Sequence, residues 1–134
     1  MGKVGRWLGG RLDDIRGFIG TLYAGQLHAK RVDSLAGATL GAMTGASLAV
    51  AVIGQALAQA RDLVTRHAIE QVDRLLSNNS IDVWDSFAHW VPHMIGARKQ
   101  VVIAMDWTAF DRDGQPALAL NIVSRHGRAT PMLR

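Results

Sequence analysis

Residues 101–114, VVIAMDWTAFDRDG, deliver an aspartate, Asp106, from a run of apolar side chains. In an extended chain successive side chains alternate faces, so Asp106 shares one face with Val102, Ala104 and Thr108, while Val101, Ile103, Met105 and Trp107 share the other. A segment apolar on both faces reads as an interior strand, where an ionised carboxylate is costly unless something pairs with or coordinates it. Two readings are open at this point. Asp106 is a ligand for a divalent metal, since hard cations take carboxylate oxygens and a strand fixes the direction of the side chain. Or it is a structural aspartate that accepts from backbone amides of the following turn. Asp111 and Asp113 fall in that turn, where local hydrogen bonding accounts for them.

Asp85, His89 and His93 step by four, which on an unbroken helix would stack three metal-ligating side chains on one face. Pro92 is expected to break that ladder, leaving surface or partner-contacting histidines. Lys30, Arg31, Arg66, His67 and Arg74 are candidate phosphate contacts. Arg66 and Arg74 each follow an acid, Asp62 and Glu70, by four residues, so a solvated ion-paired face is as open as a DNA contact. Trp84, Trp90 and Trp107 read as core rather than as a stacking platform for bases, because no regular basic interleaving surrounds them.

The elements that must position these residues are helical first and extended later. Leu12, Ile15, Ile19, Leu22, Tyr23 and Leu27 lie near one face of a helix over 11–29. Helices over 33–43 and 47–61 follow, then one over 63–77 with Val64, Ala68, Val72, Leu75 and Leu76 on a face. Asp82 caps a further helix that carries Trp84, Phe87, Ala88 and Val91 to Pro92. From Gln100 the period becomes two. Strands are expected over 101–110 and 116–124, joined by a hairpin at Asp113-Gly114. Arg125 to Pro131 reads as a second turn, after which Met132 and Leu133 look like the start of a third strand that the chain does not complete. The fold class is α+β, with a helical, candidate DNA-binding region over 1–98 and the start of a sheet over 99–134.

A chain of 134 residues suits one domain with a real core. Cysteine is absent, which excludes disulfides and thiolate chemistry and fits a reducing compartment. The net charge of +4 is concentrated at both ends, favouring a polyanionic partner, nucleic acid or anionic lipid. No leader or lipid anchor is expected from MGKVGRWLGG. Ser34 to Ala60 holds no charged residue and by length could cross a bilayer, with Gly37, Gly41 and Gly45 at the spacing of closely packed membrane helices. Its Ala, Gly, Ser, Thr and Gln content, and a helix stop and restart at Ser47, fit two buried helices equally well.

The stretch VVIAMDWTAFDRDGQPALALNIVSRHGRATPMLR resembles the first two strands of the catalytic core of DDE insertion-sequence transposases, enzymes of the RNase H-like fold. LHAKRV, SLAVAVIGQALA, RHAIEQVDRLLSN and IDVWDSF resemble the helical region that precedes that core in one branch of the family. The resemblance implies that Asp106 is the first aspartate of the DDE triad, a ligand for Mg²⁺ or Mn²⁺ in the complete enzyme, whose activity is metal-dependent cleavage and transfer of DNA strands. It implies a cytoplasmic DNA-binding protein, with Lys30, Arg31, Arg66 and Arg74 as DNA contacts, and makes a membrane location unexpected. The chain departs from the family in lacking the second aspartate and the glutamate of the triad, since Glu70, its one glutamate, lies in the helical region. The expectation is therefore a truncated transposase, inactive alone and binding no metal stably, that forms homo-oligomers or pairs with a full-length transposase through an exposed sheet edge. The rival expectations are a small Gly-rich membrane or helix-interaction protein and a stand-alone DNA-binding module.

Overall fold

The computed structural model of the chain describes residues 3–110, 115–125 and 129–133. Among these residues five helices, α1 (Lys3–Leu22), α2 (Ala29–Gly45), α3 (Val50–Arg61), α4 (Thr65–Leu76) and α5 (Val83–Ile95), precede three strands, β1 (Ile103–Phe110), β2 (Gln115–Val123) and β3 (Ala129–Leu133). The chain divides into two compact units, Met1–Ile81 and Asp82–Arg134. α5 falls in the second unit, where Trp90 Nε1 donates to the carbonyl of Pro131 at 3.4 Å and ties the helix to β3.

In the first unit, Leu12 and Ile19 of α1 pack with Val32, Ala36 and Leu40 of α2 and with Ala60. The expected apolar face is present, but the helix starts earlier and stops at Leu22, because Gly25 takes a left-handed φ of 80° and turns the chain. His28 then caps α2, its Nδ1 accepting from the amide of Lys30 at 3.3 Å. A second cluster joins Ile53, Leu57 and Ala58 of α3 to Ala68 and Val72 of α4, with Ala38 and Ala42 packed against it.

The uncharged stretch 34–60 is a pair of helices broken at Ala46, which adopts a left-handed φ of 49°. Ser47 Oγ accepts from the amide of Ala49 at 3.1 Å, so the stop and restart expected at this serine is built as a local turn. Among the described residues no single helix is long and apolar enough to cross a membrane, and α2 and α3, which together have the length and composition, are bent by 99°. The glycine spacing serves the close approach of α2 and α3. A Cβ on Gly41 would stand 2.5 Å from the carbonyl oxygen of Ile53, and one on Gly37 would touch the Leu57 side chain at 3.4 Å. The backbones approach where those side chains are missing.

Two details of α4 and α5 differ from expectation. Asp62 is the left-handed C-cap of α3, φ 55°, and so does not share a helix face with Arg66. Pro92 lies inside α5 without ending it. The helix needs only one more turn, which closes when the amide of Gly96 donates to the carbonyl of Pro92 at 2.9 Å and Gly96 turns away with φ 58°. Asp82 caps α5 as expected, its carboxylate accepting from the amides of Trp84 at 2.8 Å and Asp85 at 3.3 Å.

The sheet is an antiparallel meander of order β1-β2-β3. Asp106 pairs with Ala119, Ile103 with Ile122, and Trp107 with Leu118. The third strand, expected to remain unformed, does pair: Thr130 lies opposite Ile122 and Pro131 opposite Asn121, after an irregularity at Leu120/Asn121. The turn at Asp113-Gly114 lies outside the described residues. Ile122 and Met132 are buried, but Val102, Met105 and Trp107 are 67%, 72% and 66% exposed. The interior strand expected from the apolar run is thus an open edge, because the described residues place β2 on one side of it and no layer over it. Trp84, 70% exposed, is likewise not in the core.

Candidate functional site

Strand geometry sets the position of Asp106 in the middle of β1, on the face it shares with Ala104 and Thr108. The carboxylate is exposed, and Thr108 Oγ1 donates to its Oδ2 at 3.5 Å. The compensation demanded of a buried aspartate is therefore not required: water solvates it. Among the described residues no group of three or more His, Asp or Glu side chains could hold a metal ion. One carboxylate with one hydroxyl beside it is a single anionic ligand, so the described residues do not by themselves fit the metal centre that the family resemblance implies.

Asp85, His89 and His93 do stand on one continuous helix, contrary to the break expected at Pro92. Their side chains are not gathered: His89 Nδ1 lies 3.4 Å from the carbonyl oxygen of Asp85, and the His93 ring stands 5.8 Å from that of Trp90.

The structure brings two of the four candidate DNA contacts together in the first unit. Arg31 and Arg74 line a cleft of about 670 Å³ between α2 and α4, with Ser34, His67, Gln71 and Asn78. Arg31 is held there by Ser80, donating from Nη2 to Oγ at 2.5 Å and from Nη1 to the carbonyl at 3.3 Å. Asn78 Oδ1 in turn accepts from the Ser80 hydroxyl at 2.6 Å, so the turn that closes α4 also positions the guanidinium.

Glu70 stands between Arg66 and Arg74, its carboxylate 2.9 Å from Arg66 Nε and 3.9 Å from Arg74 Nη2. The second pairing is the expected one; the first replaces Asp62–Arg66, since Asp62 has left the helix. These pairs are largely exposed and contribute on the order of 0.3–0.5 kcal/mol each. Lys30 projects from the first turn of α2 and is exposed. The mixed cleft can accept an anion through Arg31 and Arg74, but Glu70 halves its charge.

A second basic place was not singled out in the sequence. Arg98, Lys99 and Arg125 border a cleft of about 560 Å³ in the second unit, at the end where β1 begins and β2 finishes. A signal was available in the cationic residues on either side of the strand pair, but only the register shows that they meet. Comparison of the chain with protein-family models, curated proteins and solved structures finds no match.

Proposed function

We propose that this chain is a portion of a DDE transposase, a helical region followed by the opening strands of an RNase H-like core, and that it serves DNA transposition only together with further catalytic elements. The observation that supports this reading most is the position of Asp106: mid-strand on β1, at the start of a three-stranded antiparallel meander whose first two strands match the expected ones to within two residues. Asp106 carries the catalytic role in this reading, and Lys30, Arg31, Arg66 and Arg74 carry contacts to DNA. Mg²⁺ or Mn²⁺ belongs to the assembled enzyme.

The test begins with the DNA downstream of the region that encodes these residues. A continuing frame that supplies a further aspartate and a glutamate is joined to this chain, and the product is incubated with labelled duplex carrying the flanking ends. Strand cleavage at those ends with Mg²⁺ or Mn²⁺ is the expected result. An extended polypeptide that binds and cuts no DNA overturns the reading.

The bare face of the sheet predicts how the chain behaves alone. Met105 and Trp107, with Leu118 beside them at 41% exposure, form a contiguous apolar strip next to a strand edge that, among the described residues, is unpaired, an arrangement that templates self-association. Met105→Ser with Trp107→Ser is expected to shift sedimentation from aggregates toward monomer without loss of helical circular dichroism. Unchanged sedimentation would place self-association elsewhere.

A further inference from the structure

We infer that the cleft bordered by Arg98, Lys99 and Arg125 binds the phosphodiester backbone of a nucleic acid and leads it along the Asp106 face of β1. This rests on the proposed role in DNA chemistry and deepens it by naming where the backbone is held. The cleft, about 560 Å³, carries three cationic side chains, and among the described residues no carboxylate lines it. That separates it from the α2/α4 cleft, where Glu70 sits among the arginines.

Its construction fixes the charges. Arg98 Nη1 donates to the carbonyls of Met94 at 2.6 Å and Ile95 at 3.3 Å, so its guanidinium is anchored on the C-terminal end of α5. The amide of Val123 donates to the carbonyl of Val102 at 2.9 Å, extending the β1–β2 ladder beneath the cleft, whose rim Lys99 and Arg125 share. Lys99 and Arg125 are exposed, as a phosphate contact requires. The floor, Val102 and Val123, offers no hydrogen bonds of its own side chains, so the cations supply the attraction and fit a ligand that is anionic at regular intervals.

Direction follows from the strand. Val102 and Asp106 share a face, and the four residue steps from one to the other span roughly 13 Å, about four base-pair rises along a duplex axis. A backbone seated on Lys99 and Arg125 that follows β1 reaches Asp106 within that length.

The experiment measures binding of a labelled 20-base-pair duplex by the full chain across salt concentrations. The variant is Lys99→Ala with Arg125→Ala, which spares the helix-anchoring Arg98. Each phosphate contact contributes about one unit to the slope of log affinity against log salt, so the double variant should lose about two units. Lys99→Arg with Arg125→Lys should keep the slope. Circular dichroism identifies any variant that has lost its fold, and the single substitutions, each expected to lose about one unit, then decide. A double variant that is folded and binds with the parent slope overturns the inference while leaving the DNA reading intact. A parent chain that binds no duplex at low salt overturns both. Loss of binding to anionic phospholipid vesicles, with duplex binding unchanged, assigns the cleft to a lipid surface and overturns the nucleic-acid assignment.

Discussion

Gly54→Ala should destabilise the helical unit by about 2 kcal/mol, lowering its melting temperature by roughly 10 °C. In a helix the same change ordinarily stabilises, by about 1 kcal/mol, because alanine has the higher helix propensity. Here the space decides. A Cβ on Gly54 would stand 2.5 Å from Ile69 Cγ1, 2.6 Å from Ile69 Cα and 2.8 Å from its nitrogen, and the last two are backbone atoms of α4 that cannot rotate aside. The methyl must push α4 off α3, loosening the contacts of Ala68 and Val72, both fully or almost fully buried. Gly17→Ala is the control: nothing lies within 4 Å of its Cβ, so it should stabilise by up to about 1 kcal/mol. Thermal unfolding followed by far-ultraviolet circular dichroism measures both. Equal responses at the two positions would mean that α3 and α4 do not approach at Gly54.

The same glycines show where sequence reasoning stops. Periodicity located the apolar faces of Leu12, Ile19, Ala68 and Val72, because burial on one side of a helix repeats in the sequence at the pitch of the helix. It located both long strands for the same reason at a period of two. The spacing of Gly37, Gly41 and Gly45 was also visible, yet it fits a membrane helix pair and a tight crossing of two short helices equally. What the sequence did not show is the left-handed turn at Ala46, a residue with no preference for that conformation, which bends the pair. Pro92 was misjudged because a proline is read as a helix breaker, whereas close to a C-terminus it forfeits little and its carbonyl still accepts from Gly96.

The site was legible in position and not in environment. Alternation placed Asp106 in β1, but two apolar faces suggested a covered strand. Covering depends on which elements lie over a strand, and that information is not local. Among the described residues no layer covers either face of β1: Met105 and Trp107 are exposed on one, and Ala104, Asp106 and Thr108 on the other. The basic cleft is a stronger example. Arg98, Lys99 and Arg125 are separated by two strands in the sequence and brought together by the pairing of Ile103 with Ile122.

Exposure of Asp106 makes its substitution a clean test. Asp106→Asn conserves size and removes charge. Among the described residues its one side-chain bond is the weak one from Thr108 at 3.5 Å, and no buried partner is left behind. The stability of the sheet should therefore change by no more than about 0.5 kcal/mol. In a polypeptide extended by the catalytic elements that the proposed function requires, the same substitution should lower strand cleavage on the order of a thousandfold or more, because the amide cannot fill the role that the resemblance gives this carboxylate. Duplex binding should persist with the parent's salt dependence, since an aspartate contributes no phosphate contact. The informative combination is cleavage lost, affinity kept and melting temperature unmoved, measured on one preparation. Cleavage that survives Asp106→Asn would remove Asp106 from the chemistry, and with it the reason for reading β1 as the opening strand of a nuclease-like core.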